Sequence, residues 1–121
     1  MNEKREGVYP DTIKWEKVAD KIWEKILWRD ERTGSYARLA RADPGFKGAN
    51  AIVHDFDELV YVLQGQQVNL KTDQVWRQGT YSFFPAGTEH GPFSTDEGIV
   101  CLEFRYYSDV SEGAKHGRRK G

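Results

Sequence analysis

Two histidines and one glutamate, His54, Glu58 and His90, are the residues of this sequence whose chemistry best suits a metal site. His54 closes a stretch of alternating side chains, as a strand would present them, and Glu58 begins the apolar run LVYVL. Asp55 and Asp57, between them, are turn-prone residues that mark a short loop. A tight reversal there would bring an imidazole and a carboxylate together, and both groups are common ligands of transition metals.

Glycines and prolines dominate the surroundings of His90, in the stretch GTYSFFPAGTEHGPFS at residues 79–94. Gly79 permits a tight turn into a strand, and Pro85 ends that strand because it cannot donate a hydrogen bond to the ladder. Gly87 allows a further bend just before His90. We therefore expect a rigid loop to hold this imidazole in place.

Runs of β-favouring residues separated by turns predict the elements that must position these side chains. The turns recur about every eight to twelve residues without a convincing long helix, which indicates an all-β sandwich or barrel. A helix over residues 15–28 is the competing interpretation of the first two runs, because their apolar residues also fit helical spacing. The expected strands cover residues 12–18, 21–28, 35–42, 50–54, 58–64, 66–70, 80–84 and 99–107.

Length and composition indicate one globular domain. A chain of 121 residues can build one core but not two, and 38% hydrophobic and 31% charged residues are typical of a folded protein with a solvated surface. We expect a single β-barrel domain over residues 12–107, a flexible N-terminal arm over residues 1–11 and a flexible basic tail over residues 108–121. His116 lies in this tail without neighbours of ligand type, so we expect it to be exposed.

Charge and hydropathy exclude several classes of partner. The net charge of −1 gives no reason to expect binding to nucleic acid or to an anionic membrane. The N-terminus lacks the apolar core of a signal peptide, and no apolar run approaches the ~20 residues that span a bilayer. Cys101 is the one cysteine, and its apolar context, IVCLEF, predicts a buried, inert thiol. We expect a cytoplasmic protein without membrane or nucleic-acid partners.

The spacing of these residues resembles the two conserved motifs of the cupin superfamily. Gly79, Pro85, Gly87 and His90 fall in register with the second motif, in which five residues, one residue and two residues separate successive positions. In the first motif, three residues separate His54 from Glu58, and six residues separate Glu58 from the closing glycine at position 65. This resemblance implies an all-β fold of the double-stranded β-helix type, the cupin jelly-roll barrel.

The resemblance extends to cupins of the ChrR type and to acetylacetone or dihydroxyacetophenone dioxygenases, through DERTG, GTYSFFPAG and HGPFSTDEG. It implies His54, Glu58 and His90 as metal ligands, a set like the facial triad of non-haem iron oxygenases. The resemblance also implies a divalent transition metal, with iron favoured and manganese, nickel, zinc and copper open. Three positions depart from the motifs. Ile52 stands where the first histidine belongs, Ser94 replaces an asparagine, and Phe46 stands where the first motif opens with glycine, with Gly45 one residue early.

The loss of one ligand leaves a metal-free interpretation open, in which the three residues form a hydrogen-bonded polar cluster inside the barrel. If metal does bind, neutral imidazoles are required, so binding should weaken below about pH 6.

The side chains around the three residues predict a small, largely apolar pocket. Strand alternation places Val60 and Val62 on the face of Glu58 and turns Tyr61 outward. We expect the pocket to be lined by Asn50, Ile52, Val60, Val62 and Phe84. Further aromatic residues should line or cap the barrel, mostly as core: Phe56, Phe83 and Phe93.

Three functions remain open from the sequence. One is a metal-dependent dioxygenase that cleaves a small dicarbonyl or hydroxyketone. The second is a non-catalytic cupin that binds or senses a small molecule, and the third is a structural jelly roll whose pocket is only core. We expect a homodimer formed through the tryptophan-rich strands of residues 12–28.

Overall fold

Strands joined by turns make up most of the protein, and a 3-10 helix at Pro10–Thr12 precedes them. The structure is a computed structural model that describes residues 3–107. The first six strands are β1 (Glu16–Ala19), β2 (Ile22–Arg29), β3 (Tyr36–Ala42), β4 (Phe46–Lys47), β5 (Ile52–Val53) and β6 (Asp57–Gly65). The remaining six are β7 (Gln67–Asn69), β8 (Val75–Trp76), β9 (Tyr81–Phe84), β10 (Glu89–His90), β11 (Phe93–Thr95) and β12 (Ile99–Tyr106).

The strands form three antiparallel sheets. Six strands make the largest sheet in the order β1-β2-β3-β12-β6-β9, and four make the second in the order β4-β11-β7-β8. The short strands β5 and β10 pair with each other as a separate ribbon. The order in which the chain crosses between sheets is that of a jelly-roll barrel, so the predicted all-β fold class is confirmed.

The core lies between the two larger sheets, because side chains from both contribute to it. The buried cluster contains Ala42, Val60, Val62, Trp76, Ile99 and Cys101. Trp76 of the smaller sheet packs against Phe84 of the larger sheet, with 6.0 Å between ring centroids. Cys101 is buried, so its predicted burial is confirmed, and burial raises the pKa of its thiol, which disfavours the reactive thiolate.

The N-terminal segment forms a hairpin, and the helical interpretation of residues 15–28 is wrong. β1 pairs antiparallel with β2, and Lys21 adopts a positive φ of 63° in the tight turn between them. The first strand begins at Glu16 and not near residue 12, because the 3-10 turn at Pro10–Thr12 occupies the expected start. The apolar spacing of residues 15–28 fits a strand and a helix almost equally well, and the pairing of β2 with β3 decides for the strand.

The N-terminal segment also contacts the outer side of the large sheet. The Lys25 ammonium donates a hydrogen bond to the Pro10 carbonyl at 2.9 Å, and the Arg5 guanidinium donates to the Leu27 carbonyl at 3.1 Å. The predicted tail, residues 108–121 with His116, lies outside the described residues. Within the part of the chain that the structure describes, no helix is long and apolar enough to cross a membrane.

β6 lies between β12 and the edge strand β9 in the large sheet and presents alternate residues to the barrel interior. Glu58, Val60 and Val62 are 2%, 5% and 0% exposed, whereas Tyr61 is 42% exposed. The predicted inward face of this strand and the outward direction of Tyr61 are therefore confirmed. Because side chains alternate strictly along a strand, fixing Glu58 inward fixes the direction of its neighbours.

The glycine that closes the first motif has a steric role at the end of β6. Gly65 has a φ of 79°, and a Cβ atom built on it would lie 2.1 Å from the Gly98 carbonyl oxygen. A side chain cannot be accommodated at that distance without moving the backbone of the adjoining turn. This close approach ends β6 next to the start of β12.

Candidate metal centre

Two backbone pairings bring the three predicted ligands together. β5 pairs with β10, so that Ile52 lies opposite His90, and the Gly87 amide donates a hydrogen bond to the His54 carbonyl at 2.8 Å. Glu58 is the second residue of β6, and residues 55–57 separate it from His54. Each of the three residues, His54, Glu58 and His90, offers a ligand atom within 4.8 Å of the other two.

Aromatic stacking holds both imidazole rings. The ring of His54 stacks on Phe56 at 4.3 Å, and the ring of His90 stacks on Phe84 at 4.3 Å. The two imidazoles lie 5.1 Å apart at their centroids, tilted by 48°. Stacking orients a ring without using its nitrogens, so the nitrogens stay available as donors to a metal.

The nitrogens of His90 have no hydrogen-bond partner, although both are buried. Its Nε2 lies 3.7 Å from the Glu58 Oε1, which is too long for a hydrogen bond. A buried polar atom without a partner is costly, and its presence calls for an explanation such as an ion. His90 and Glu58 therefore do not form the hydrogen bond that the metal-free interpretation expects.

The donor set fits a divalent transition metal. Two imidazoles and one carboxylate suit iron, zinc, manganese, nickel or copper, and the unpaired nitrogens of His90 provide the structural sign that a ligand belongs there. The residues that would hold the ion are His54, Glu58 and His90.

Glu58 is held by an arginine that sequence analysis did not identify. The Arg105 Nε donates to the Glu58 Oε2 at 2.5 Å, and its Nη1 donates to the Tyr36 hydroxyl at 2.7 Å. Its Nη2 lies 3.1 Å from the Glu103 Oε1. One carboxylate oxygen of Glu58 is thus occupied, and the other faces His90.

The ion pairs continue across three strands of the barrel. The Arg38 Nε donates to Glu103 at 2.8 Å, and its Nη1 donates to Glu24 at 2.6 Å. The sequence carried a signal for the inward direction of two of these charges, though not for their partners, because Cys101, Glu103 and Arg105 alternate on one face of β12. An inward-facing cysteine therefore predicts inward-facing charges two and four residues later.

Burial shifts the pKa values of the three candidate ligands. It raises the pKa of Glu58 to about 7, a shift that the Glu103 charge adds to and Arg105 opposes. It lowers the pKa of His54 to about 4, with the Arg105 charge as the second cause, and it lowers the pKa of His90. Both imidazoles are consequently neutral at pH 7, as metal binding requires, and a dication would favour the ionised form of Glu58.

A cavity of about 260 Å³ lies inside the barrel next to these residues. Four of the five predicted pocket residues line it: Asn50, Ile52, Val60 and Phe84. Val62 does not appear among the lining residues, because it is fully buried in the core cluster. A more open depression of about 500 Å³, lined by residues 41–44, 64–65 and 97–100, contains none of the candidate ligands.

The other predicted aromatic residues divide between the interior and the surface. Phe93 lines the cavity and Phe56 is buried beneath His54. Phe83 is 45% exposed, so the expectation that it lines or caps the barrel is wrong. Strand alternation in β9 turns Phe84 inward and therefore Phe83 outward.

Ile52 remains beside the centre where a third histidine would stand. It lies directly across the strand pair from His90, it lines the cavity, and it is 46% exposed. Within the described residues, no other histidine, cysteine or carboxylate joins the three ligands in a cluster. The set is therefore two imidazoles and one carboxylate.

Comparisons with known proteins agree with this architecture. The model of the ChrR cupin-like domain family matches residues 3–108. An RmlC-like cupin from Shewanella frigidimarina has a similar structure, with a TM-score of 0.72 and 17% identity, over 90% of this chain and 97% of that chain. KdgF from Halomonas sp. is similar with a TM-score of 0.70 and 21% identity, over 89% of this chain and 99% of that chain.

An acetylacetone dioxygenase from Acinetobacter johnsonii is also similar, with a TM-score of 0.68 and 12% identity, over 88% of this chain and 75% of that chain. At these identities the likeness concerns the fold alone. No protein of curated function matches the sequence.

Proposed function

This chain belongs to the family of ChrR cupin-like domains, and from that premise we propose a metal-dependent dioxygenase that acts on a small dicarbonyl or hydroxyketone. The observation that carries the proposal is the convergence of His54, Glu58 and His90 within 4.8 Å, with both nitrogens of His90 unpaired. A set of two histidines and one carboxylate leaves coordination positions open, which non-haem iron oxygenases use for dioxygen and substrate. We propose iron as the metal for this reason.

A divalent iron ion in such a set supplies Lewis acidity and the activation of dioxygen when it is bound. The protein's own contribution is the cavity. Part of its wall is apolar, with residues such as Val60, Phe84 and Phe93, and this part would exclude water and pack against a small carbon skeleton.

The charges in the cavity favour a neutral substrate. Arg38 and Arg105 direct their guanidinium groups to the carboxylates of Glu24, Glu58 and Glu103. A cation already engaged in this way is not offered to a carboxylate substrate. A volume of about 260 Å³ is at the small end for a ligand site, which supports a compact dicarbonyl compound. The acetylacetone dioxygenase among the similar folds supports the same substrate class.

The test is metal analysis followed by oxygen uptake. Protein purified without chelator and reconstituted with Fe(II) should hold about one equivalent of metal, and acetylacetone should cause oxygen consumption. Glu58→Gln and His90→Asn should lose most of the metal, whereas His116→Asn should retain it. Wild-type protein that stays metal-free after reconstitution would end the proposal.

A ligand-binding or sensory cupin without turnover is the second candidate. Ile52 favours it, because a centre with one ligand fewer than a full cupin set binds metal more weakly. A ligand that raises the melting temperature of the metal-loaded protein without any oxygen uptake would support this function. Oxygen consumption that depends on Glu58 would contradict it.

A further inference from the structure

Arg105 contacts one of the three proposed ligands, Glu58, and also contacts a residue that packs against a second ligand, His54. Its Nε donates to the Glu58 Oε2 at 2.5 Å, and its guanidinium carbon lies 4.9 Å from the centroid of the Phe56 ring. Phe56 in turn stacks on His54 at 4.3 Å. Arg105 is therefore linked to Glu58 directly, by a hydrogen bond, and to His54 indirectly, through the ring of Phe56.

The guanidinium group itself is held on several sides. It lies 5.6 Å from the centroid of the Tyr36 ring, donates to the Tyr36 hydroxyl at 2.7 Å and contacts Glu103 at 3.1 Å. Its side chain is only 12% exposed. A planar guanidinium that contacts three polar partners has little freedom to rotate, so it holds the groups that it contacts in a defined orientation.

From this geometry we propose that Arg105 is the positioning residue of the metal centre, which holds Glu58 as a one-oxygen ligand and sets the ring of His54 through Phe56. This inference rests on the proposed metal site. With Oε2 engaged by Arg105, Glu58 offers only Oε1 toward His90. Restricting the carboxylate to one oxygen leaves one more coordination position for substrate or dioxygen.

Arg105→Lys tests the role, because lysine keeps the positive charge but loses the planar fork. We expect the affinity for Co(II), measured by competition with a chromogenic chelator, to fall about tenfold or more. The visible spectrum of the Co(II) protein should also change, since Glu58 could then offer both oxygens. Tyr36→Phe, which removes only one acceptor of Arg105, should shift both readouts in the same direction by a smaller factor.

Arg29→Lys is the matched control. The Arg29 guanidinium lies 5.4 Å from the centroid of the same Tyr36 ring, but Arg29 lies outside the cavity that contains Glu58. It should leave the Co(II) affinity and spectrum unchanged. Arg105→Lys and Tyr36→Phe proteins with wild-type affinity and spectrum would overturn the proposal.

A metal-free readout separates this inference from the proposed function. Wild-type protein that binds no Co(II) contradicts the metal site itself. The imidazole NMR resonances of the metal-free protein still report on ring position, and Arg105→Lys should shift those of His54 while Arg29→Lys leaves them in place. Unshifted resonances in Arg105→Lys would count against the positioning role whatever the metal result.

A second inference, independent of the first, concerns exposed apolar side chains on the outer face of the large sheet. Two rows of apolar side chains cross strands β12, β6 and β9: Leu102, Tyr61 and Tyr81 form one, and Phe104, Leu59 and Phe83 form the other. All six are between 36% and 69% exposed, as is the neighbouring Leu63 at 39%. We call these seven residues the apolar face.

Part of the remaining surface of this sheet, at β2 and β3, is covered by the N-terminal segment. The N-terminal segment contacts β2 through Lys25 and Pro10, and the Arg41 guanidinium of β3 lies 4.8 Å from the centroid of the Trp15 ring. The charged residues of β12, Glu103 and Arg105, point into the barrel. Among residues 3–107, no segment covers the apolar face, and none of its seven members is ionic.

We infer that the apolar face binds a second copy of this chain. Its exposed apolar area is roughly 600 Å², close to the ~800 Å² that each partner contributes to a standard interface. Two copies related by a two-fold axis would pack sheet on sheet, with apolar rows against apolar rows. This surface differs from the one expected from the sequence, residues 12–28.

Analytical ultracentrifugation of the wild type and of Tyr61→Lys tests the interface. The wild type should sediment as a dimer and Tyr61→Lys as a monomer with an unchanged circular dichroism spectrum. Tyr9→Lys, at a residue 78% exposed away from the apolar face, should remain dimeric. A monomeric wild type, or a dimer that survives Tyr61→Lys, would overturn the inference.

Discussion

His90 has a buried imidazole whose two nitrogens lack hydrogen-bond partners, and at the scale of single residues this is the sharpest sign of a metal centre. Burial keeps such a ring neutral and therefore able to bind metal. Ile52, across the strand pair, is the residue that leaves the set one histidine short.

Ile52→His should complete a set of three histidines and one glutamate. Residues directly opposite on paired strands have Cβ atoms about 5 Å apart, so a histidine there can reach the ion held by His90. We expect metal affinity to rise about tenfold or more, measured by chelator competition. Ile52 is 46% exposed, so the substitution should cost little stability.

Val53→His is the control for this substitution. It adds an imidazole at the next residue of β5, which faces away from the centre and is 59% exposed. Metal affinity should stay at the wild-type value. An equal gain in both variants would mean that the added histidine binds metal elsewhere.

His54 should make the stability of the metal-free protein depend on pH. Its pKa is lowered from 6.5 to about 4, so the unfolded chain binds this proton more readily than the folded protein. The stabilising contribution is present above pH 6.5 and is lost as the pH falls toward 4. In His54→Gln, the fall in melting temperature between about pH 7.5 and pH 5 should be smaller by roughly 5 °C, measured by calorimetry in chelator.

Glu58 acts in the opposite sense, because its raised pKa of about 7 lets the folded protein keep a proton that the unfolded chain releases. Its contribution is present at low pH and is lost as the pH rises toward 7. The wild type and His54→Gln both keep Glu58, so the difference between their falls in melting temperature reports on His54 alone. Equal changes in melting temperature for the two proteins would contradict the prediction.

At the scale of elements, β6 links the metal centre to the core. Its inward residues begin with a ligand, Glu58, and continue into the core with Val60 and Val62. Its end is fixed where Gly65 approaches Gly98.

Gly65→Ala should destabilise the protein by about 3 kcal/mol, measured by urea denaturation. The added Cβ would lie 2.1 Å from the Gly98 carbonyl oxygen, and the φ of 79° is itself unfavourable for alanine. Gly79→Ala is the control, because its φ of 89° is equally unfavourable but no atom lies within 4 Å of the added carbon. Equal losses in both variants would assign the whole effect to backbone conformation.

At the scale of the whole molecule, metal binding should stabilise the fold, because the ligands come from separate strands and loops that unfolding disperses. A metal at about a hundredfold its dissociation constant adds ~2.7 kcal/mol, which corresponds to a rise in melting temperature of roughly 10 °C or more. Differential scanning fluorimetry with Fe(II), Mn(II), Ni(II) and Zn(II) measures it. Glu58→Gln should respond weakly, and a wild type that responds to none of the four ions would contradict the prediction.

The sequence by itself determined the barrel and its three candidate ligands, because the motif spacings are local. Three residues separate His54 from Glu58, and the turn residues around His90 lie within its own loop. Strand alternation, also local, determined that Val60 faces inward with Glu58 and that Tyr61 faces outward.

Only the tertiary structure decided what surrounds the ligands. Arg105 and Glu58 lie 47 residues apart in the chain, and Arg38 and Glu103 lie 65 apart, so no local spacing reveals either pair. Buried ion pairs form where strands from distant segments become neighbours, and that depends on sheet order. The orientation of Glu58 and the free nitrogens of His90 follow from the same packing.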